Sequence, residues 1–184
     1  MTAILREPAL RKLHVPVLPR DSVAFDTIDD VLAPTTCQAL IDETDGDRPR
    51  SSIVDAPVLA LRLFYRLVEH LPVTLDGTEL AGLKPLLRCV EYRCGEGAQA
   101  HRDPIRETVD GMRSAMSVVV FLNDGFDGGG IEFPELGRFV EAKAGRAVVF
   151  PHSLLHADRI VERGRKFVLE TEVFYSRDWR PYRS

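Results

Sequence analysis

Three cysteines, one tryptophan and no long apolar run mark what these 184 residues leave out. Cys37, Cys89 and Cys94 are an odd number, too sparse for a secreted disulfide framework. Cys89 and Cys94 also lack CxxC spacing, so neither a redox pair nor a paired metal knuckle is indicated. All three are expected to be reduced thiols, buried as small hydrophobes in a cytoplasmic protein. No stretch approaches the roughly 20 apolar residues that cross a bilayer, and the N-terminal Met1-Thr2-Ala3-Ile4-Leu5-Arg6-Glu7-Pro8 has no apolar core of an export signal. No membrane partner is therefore expected. Charge of one sign is missing too: the net −4 is spread along the chain without a basic stripe. That argues against a protein that holds nucleic acid by neutralising phosphates. Repeats and low-complexity tracts are absent as well. What is present, 45% hydrophobic and 28% charged residues, suits one ordinary domain over residues 1–184.

Residues 1–80 read mostly as helical support. Val15-Pro16-Val17-Leu18 fits an edge segment, since the prolines block a helix. Thr35 or Thr36 can cap a helix running to about Glu43 and ending near Asp45-Gly46-Asp47. Asp55 is a second candidate cap, with Pro57 in the first turn, where its missing N–H costs nothing. The helix it opens carries Leu59, Leu63, Leu67 and Leu71 at helical spacing, and Pro72 closes it. From Leu86 the period falls from 3.6 to 2, or to short apolar runs bounded by glycine. Strands are predicted over 86–93, 116–122, 130–133, 138–141, 146–150, 156–161 and 166–175. The fold class is mainly β with supporting N-terminal helices, a sandwich or barrel-like roll over residues 81–178. Glycines 128–130 mark a tight turn within it.

His101-Arg102-Asp103 follows a strand and a glycine turn. Alternate residues of an extended segment share a face, so His101 and Asp103 can offer one metal an imidazole and a carboxylate. His156, opening a later strand, is the candidate third ligand. His152 is a rival, but it sits in a loop after Phe150-Pro151. Two histidines and one carboxylate leave three octahedral positions open, which suits non-haem Fe(II) binding a co-substrate and O2 together. An HxD pair is weak evidence alone. Here Tyr92-x-x-Gly95 precedes it and Phe121-Leu122-Asn123-Asp124-Gly125-Phe126-Asp127-Gly128-Gly129 follows. Val161, Gly164 and Lys166 then lie at plus five, eight and ten from His156. His14 and His70 have no such company and are expected to be surface or structural residues.

These spaced elements, from about Gly82 to Tyr175, resemble the prolyl 4-hydroxylase-like branch of the 2-oxoglutarate/Fe(II) dioxygenases. The resemblance implies a double-stranded β-helix, that is, a cupin-like jelly roll. It implies O2 cleavage coupled to decarboxylation of 2-oxoglutarate to succinate, with hydroxylation of an unactivated C–H bond. Fe(II), 2-oxoglutarate and O2 are the implied cofactors, with ascorbate as an activator. His101, Asp103 and His156 match the iron ligands. Lys166 matches the cation for the distal 2-oxoglutarate carboxylate, with Arg165 as its rival, and Tyr92 matches a tyrosine that contacts the same co-substrate. Phe121 stands where relatives often carry another tyrosine, which puts more of that duty on Lys166 and Tyr92. Asp103 fills a position that halogenases of the wider group leave open.

Strand parity adds an expectation of its own. If Lys166 points into the roll, Val168, Glu170, Glu172 and Phe174 follow it, and Arg88 and Val90 share the inner face with Tyr92. Buried charge of this kind calls for partners. Glu170 or Glu172 is expected to read an amino or guanidino group of the substrate, or to pair with Arg88 and order the pocket, unless a bulge flips the parity. Residues 104–113 are long enough for a lid over the iron. The substrate expected is an amino acid, a small natural-product intermediate or a peptidyl residue such as proline, and the oligomeric state stays open. The alternatives are oxidative demethylation of nucleic acid, which the missing basic stripe disfavours, and a non-catalytic metal-binding roll serving as sensor or scaffold.

Overall fold

The computed structural model describes residues 25–44, 51–109 and 111–177. The expectations for Val15–Leu18, His14 and the helix end at Asp45–Asp47 fall outside them.

The change of period at Leu86 opens a strand over Leu86–Arg93, as predicted, which is β5 of the chain. It pairs with β14 (Arg165–Ser176), the long strand around which the main sheet is built. Further along the same edge, β14 pairs with β4 (Thr78–Leu83). Its other edge carries β7 (Arg113–Phe121), followed by β11 (Ala147–Pro151) and β1 (Asp26–Ile28). Next, β2 (Ser51–Asp55) flanks β5 and β3 (Thr74–Leu75) forms a hairpin with β4. A smaller sheet runs β10 (Arg138–Val140), β9 (Ile131–Phe133), β12 (His156–Asp158) and β6 (Ala98–His101). Finally, β8 (Asp127–Gly128) pairs with β13 (Val161–Arg163). Every pairing among the described residues is antiparallel, and the main and four-stranded sheets face each other as a jelly roll.

Parity along β14 explains the layering. Phe167, Leu169, Val173 and Tyr175 face outward into a core shared with Leu87, Cys89, Val118 and Val120. That face is covered by α1 (Pro34–Thr44) and α2 (Pro57–Leu67). Leu63, Leu67 and Leu71 meet it with at most 1% of their surface exposed. Burial of each such side chain is worth about 1.5–3 kcal/mol. Val168, on the opposite face, joins Phe121, Ile131, Phe133, Val148 and Phe150 in a second core between the sheets. Register shifts do interrupt the pairing of β14, with β7 between Val173 and Phe174 and with β4 between Phe174 and Tyr175, so the parity of Lys166 through Glu172 is intact.

The structure corrects several local expectations. Asp55 ends β2 instead of capping α2; Ala56 holds the cap position and makes no side-chain bond there. Helix α1 starts at Pro34, which places Thr35 and Thr36 inside its first turn. The helical support also contributes β1, β2, β3 and the first half of β4 to the main sheet. Ala98-Gln99-Ala100-His101 forms β6 without any β-branched residue, because it pairs with β12. The single strand expected over 156–161 divides at Arg159-Ile160, where the chain leaves β9 and β6 to pair with β8. Gly128 is required there: its φ is 74°, and a Cβ would lie 2.4 Å from the Ile160 carbonyl. His70 is a structural histidine, its Nδ1 2.7 Å from the Asp26 carboxylate.

Cys37 and Cys89 are buried free thiols, whereas Cys94 is exposed, contrary to the expectation that all three are interior. Burial pushes the Cys89 thiol up to about 11 and Cys37 upward as well. Since the thiolate is the reactive form, Ellman's reagent should titrate one thiol in the native protein and three after denaturation. More than one rapid equivalent before unfolding would contradict the burial of Cys37 and Cys89.

Candidate active site

His101 closes β6 and His156 opens β12, and the two are directly opposed across that antiparallel pair. Their ring centroids lie 4.3 Å apart. Asp103 stands two residues beyond His101, on the same side of an extended segment. Arg102, between them, turns the other way to Glu135. The Asp103 N–H donates to the His152 carbonyl at 3.0 Å, and the Ser117 hydroxyl of β7 donates to its carboxylate. The His101 Nδ1–H donates to the Gln99 carbonyl at 2.8 Å, and the His156 Nδ1–H to the Leu154 carbonyl at 3.1 Å. A carbonyl can only accept, so both rings carry hydrogen on Nδ1 and leave Nε2 as the atom available to a metal. Both Nε2 atoms lie 3.8 Å from an Asp103 oxygen, too far for a hydrogen bond. Three ligand atoms thus converge within 4.8 Å of one another without bonding each other. Such a donor set fits a divalent cation, and the carbonyl-fixed tautomers are the outer support a metal-binding histidine needs.

His156 is the fixed side of this group. It is 5% exposed, with Phe150 at 4.5 Å and Phe133 at 6.1 Å between ring centroids. His101 is half-exposed, so the site opens on its side. His152, the rival ligand, is not part of the cluster. Its ring is buried, neither nitrogen has a hydrogen-bond partner, and burial holds it below the ordinary imidazole range.

The three residues line a cavity of about 450 Å³. Lys166 lies beside it with no exposed surface; its Nζ is 4.7 Å from the centre of the Tyr92 ring and 5.5 Å from that of Phe121. Arg165 faces the opposite way, near Glu91 at 3.5 Å and over the Phe167 ring. Parity thus separates the two candidate cations. Arg88 Nε donates to Glu170 at 2.8 Å, and both line the cavity. Burial pushes the Glu170 carboxyl up, and the Arg88 charge pulls it back. Glu172 accepts from Arg106 Nε at 2.8 Å, and its other oxygen is buried without a hydrogen bond, 3.8 Å from Lys84 Nζ. The stretch predicted as a lid is a tied turn in its described part: Ser114 N–H donates to the Arg106 carbonyl and Met112 N–H to the Thr108 hydroxyl.

Several of these residues escape a reading of sequence. Asp158 meets Lys166 Nζ at 2.5 Å. Its position two residues after His156, on the same face of β12, was the available signal. Ser117 could have been placed by the same alternation from Phe121. Lys84 and Arg106 come from loops, and no period reports where a loop residue points.

A β-roll that presents two imidazoles and one carboxylate to an open cavity has the donor set that suits non-haem iron oxygenases. Residues 87–171, just under half the chain, match the 2OG-Fe(II) oxygenase superfamily and contain all three converging residues. The chain carries a 2OG-Fe(II) oxygenase domain and is an enzyme of that class, using Fe(II), 2-oxoglutarate and O2. Curated proteins give no sequence match. Among solved structures the fold is similar to the viral collagen prolyl hydroxylase of Paramecium Bursaria Chlorella virus-1 in its 2OG complex. That likeness has a TM-score of 0.66 at 18% identity, covering 84% of this chain and 97% of that one. A truncated form of the viral enzyme has a TM-score of 0.66 at 19% identity, covering 94% and 99%. A Pseudomonas putida prolyl-4-hydroxylase has 0.57 at 19%, covering 86% and 95%. Among the described residues no helix is long and apolar enough to cross a membrane.

Proposed function

We propose that this enzyme hydroxylates an unactivated C–H bond of an amino acid, a small natural-product intermediate or a peptidyl residue. The carrying observation is the convergence of His101, Asp103 and His156 on a cavity that has a fully buried cation, Lys166, beside it and paired charges along its walls. In this reading the three residues hold Fe(II). Bound iron and 2-oxoglutarate supply the activation of O2 and the oxidising power. The protein's part is to bind and orient. Ser117 and the His152 carbonyl fix Asp103, and the Gln99 and Leu154 carbonyls fix the imidazole tautomers. Lys166 takes the distal carboxylate of the co-substrate, and Tyr92 shapes the same end of the pocket. A buried carboxylate needs such a partner, because leaving it unpaired costs several kcal/mol.

Substrate recognition falls to the opposite wall. Glu170 is engaged by Arg88 and orders the pocket. Glu172 keeps one buried oxygen without a hydrogen bond, which supports it as the acceptor for a substrate amino group. The structural neighbours are prolyl hydroxylases, so prolyl peptides belong first in the substrate panel, beside free amino acids. Succinate formation from 2-oxoglutarate with Fe(II) and ascorbate, together with a substrate mass gain of one oxygen atom, tests the reaction. No succinate above a metal-free control across that panel would refute it. For an accepted amine-bearing substrate, Glu172→Gln should raise KM about tenfold or more with kcat little changed, as for loss of a charged hydrogen bond. An unchanged KM would remove Glu172 from recognition.

A further inference from the structure

Lys166 already holds a carboxylate. Its Nζ lies 2.5 Å from Asp158 Oδ1, with the lysine side chain unexposed and the aspartate 13% exposed. The Tyr92 ring flanks this pair, its centre 4.7 Å from Lys166 Nζ, and burial together with the nearby Asp158 charge pushes its hydroxyl upward. The two groups expected to serve the distal carboxylate of 2-oxoglutarate therefore converge on a carboxylate the protein itself supplies. The placement is enforced by the fold. His156 and Asp158 project from the same face of β12, and Asp158 is registered opposite Ile131 of β9 and Ala98 of β6. Asp158 also lines the cavity that the triad faces.

Two carboxylates cannot share one buried ammonium group without mutual repulsion, which is strong where water is scarce. An arriving dicarboxylate must displace Asp158 from Lys166 or bind against its charge. We infer that Asp158 is an intramolecular competitor for the co-substrate: it neutralises Lys166 in the free enzyme and weakens the affinity for 2-oxoglutarate. This rests on the reading of Lys166 given above. Asp158 is then a specificity-determining residue of the co-substrate pocket, acting through the cation it occupies. The opposite role, in which Asp158 only steers Lys166 towards the ligand, predicts the opposite sign when it is removed.

Calorimetric titration of the Mn(II)-loaded protein with 2-oxoglutarate separates these signs without turnover. Asp158→Asn and Asp158→Ser should bind 2-oxoglutarate at least about tenfold more tightly than wild type, the effect of relieving roughly one close charge repulsion. Pyruvate, a 2-oxo acid without the distal carboxylate, should bind all three proteins alike. Equal or weaker 2-oxoglutarate binding in variants that still unfold cooperatively overturns the competition. A parallel titration of Lys166→Met identifies which idea has failed. Wild-type 2-oxoglutarate affinity there refutes the assignment of Lys166, and the competition falls with it. Lost affinity in Lys166→Met beside unchanged affinity in Asp158→Asn refutes the competition alone.

Discussion

Replacing His101 by alanine should abolish metal binding and bring 2-oxoglutarate turnover to background, while the metal-free protein keeps its melting temperature within a few degrees. The two halves of this expectation have separate physical grounds. His101 contributes one of three convergent ligand atoms, with its tautomer fixed by the Gln99 carbonyl. Residues that merely orient a metal ligand are worth about 10–100-fold in affinity, so removal of the ligand itself should exceed that. The side chain is 45% exposed, so its loss opens no cavity in the core. His156 provides the contrast. It is buried against Phe133 and Phe150, and His156→Ala should cost both metal and fold stability. Metal titration and thermal melting of the two apo variants check this. Retained Fe(II)-dependent turnover in His101→Ala would exclude the triad as the metal centre.

The second large effect is expected at Lys166. Lys166→Met keeps most of the side-chain volume but removes the charge, leaving the Asp158 carboxylate without its cation in a largely dry site. Breaking a buried pair in this way costs about 3–5 kcal/mol, or roughly 10 °C in melting temperature for a chain of this length. Affinity for 2-oxoglutarate should fall on the order of thirtyfold or more, the effect of truncating one partner of a buried charge pair. The double variant Lys166→Met/Asp158→Asn discriminates between these two losses. Removing both charges should restore most of the stability, because neither is then left alone. Co-substrate affinity should stay low, because no cation remains to receive it. Recovery of both quantities in the double variant would mean that Lys166 serves only to neutralise Asp158.

The site was legible in the sequence where chemistry follows from short spacing. His101 and Asp103 are two residues apart in an extended segment, and alternation alone puts their side chains together. The step of ten from His156 to Lys166 was legible only through the family resemblance, since the two residues stand at the starts of different strands, β12 and β14. The parity expected for β14 was also correct through Glu172. Whether the glutamates face inward depended on where the bulge fell, and that was decided by pairing with β7 and β4 at Val173–Tyr175. The strands β2 and β6 were missed for a related reason. Ala98–His101 has little intrinsic strand preference and Ser51–Asp55 only that of Ile53-Val54, so both depend on a partner edge that accepts their hydrogen bonds.

What the sequence by itself determined, then, is the identity of the chemically active side chains and the faces they share within one strand. Those depend on periods of two and 3.6 residues, which are properties of the local backbone. Only the tertiary structure decided which strands are opposed. It set His101 across from His156, brought Ser117 to Asp103, and divided Glu170 from Glu172 by giving one to Arg88 and the other to Arg106. It also placed Asp158 on Lys166. These contacts join residues distant in sequence or across separate strands, and they arise from the closure of two sheets around a common core. No local period carries that information.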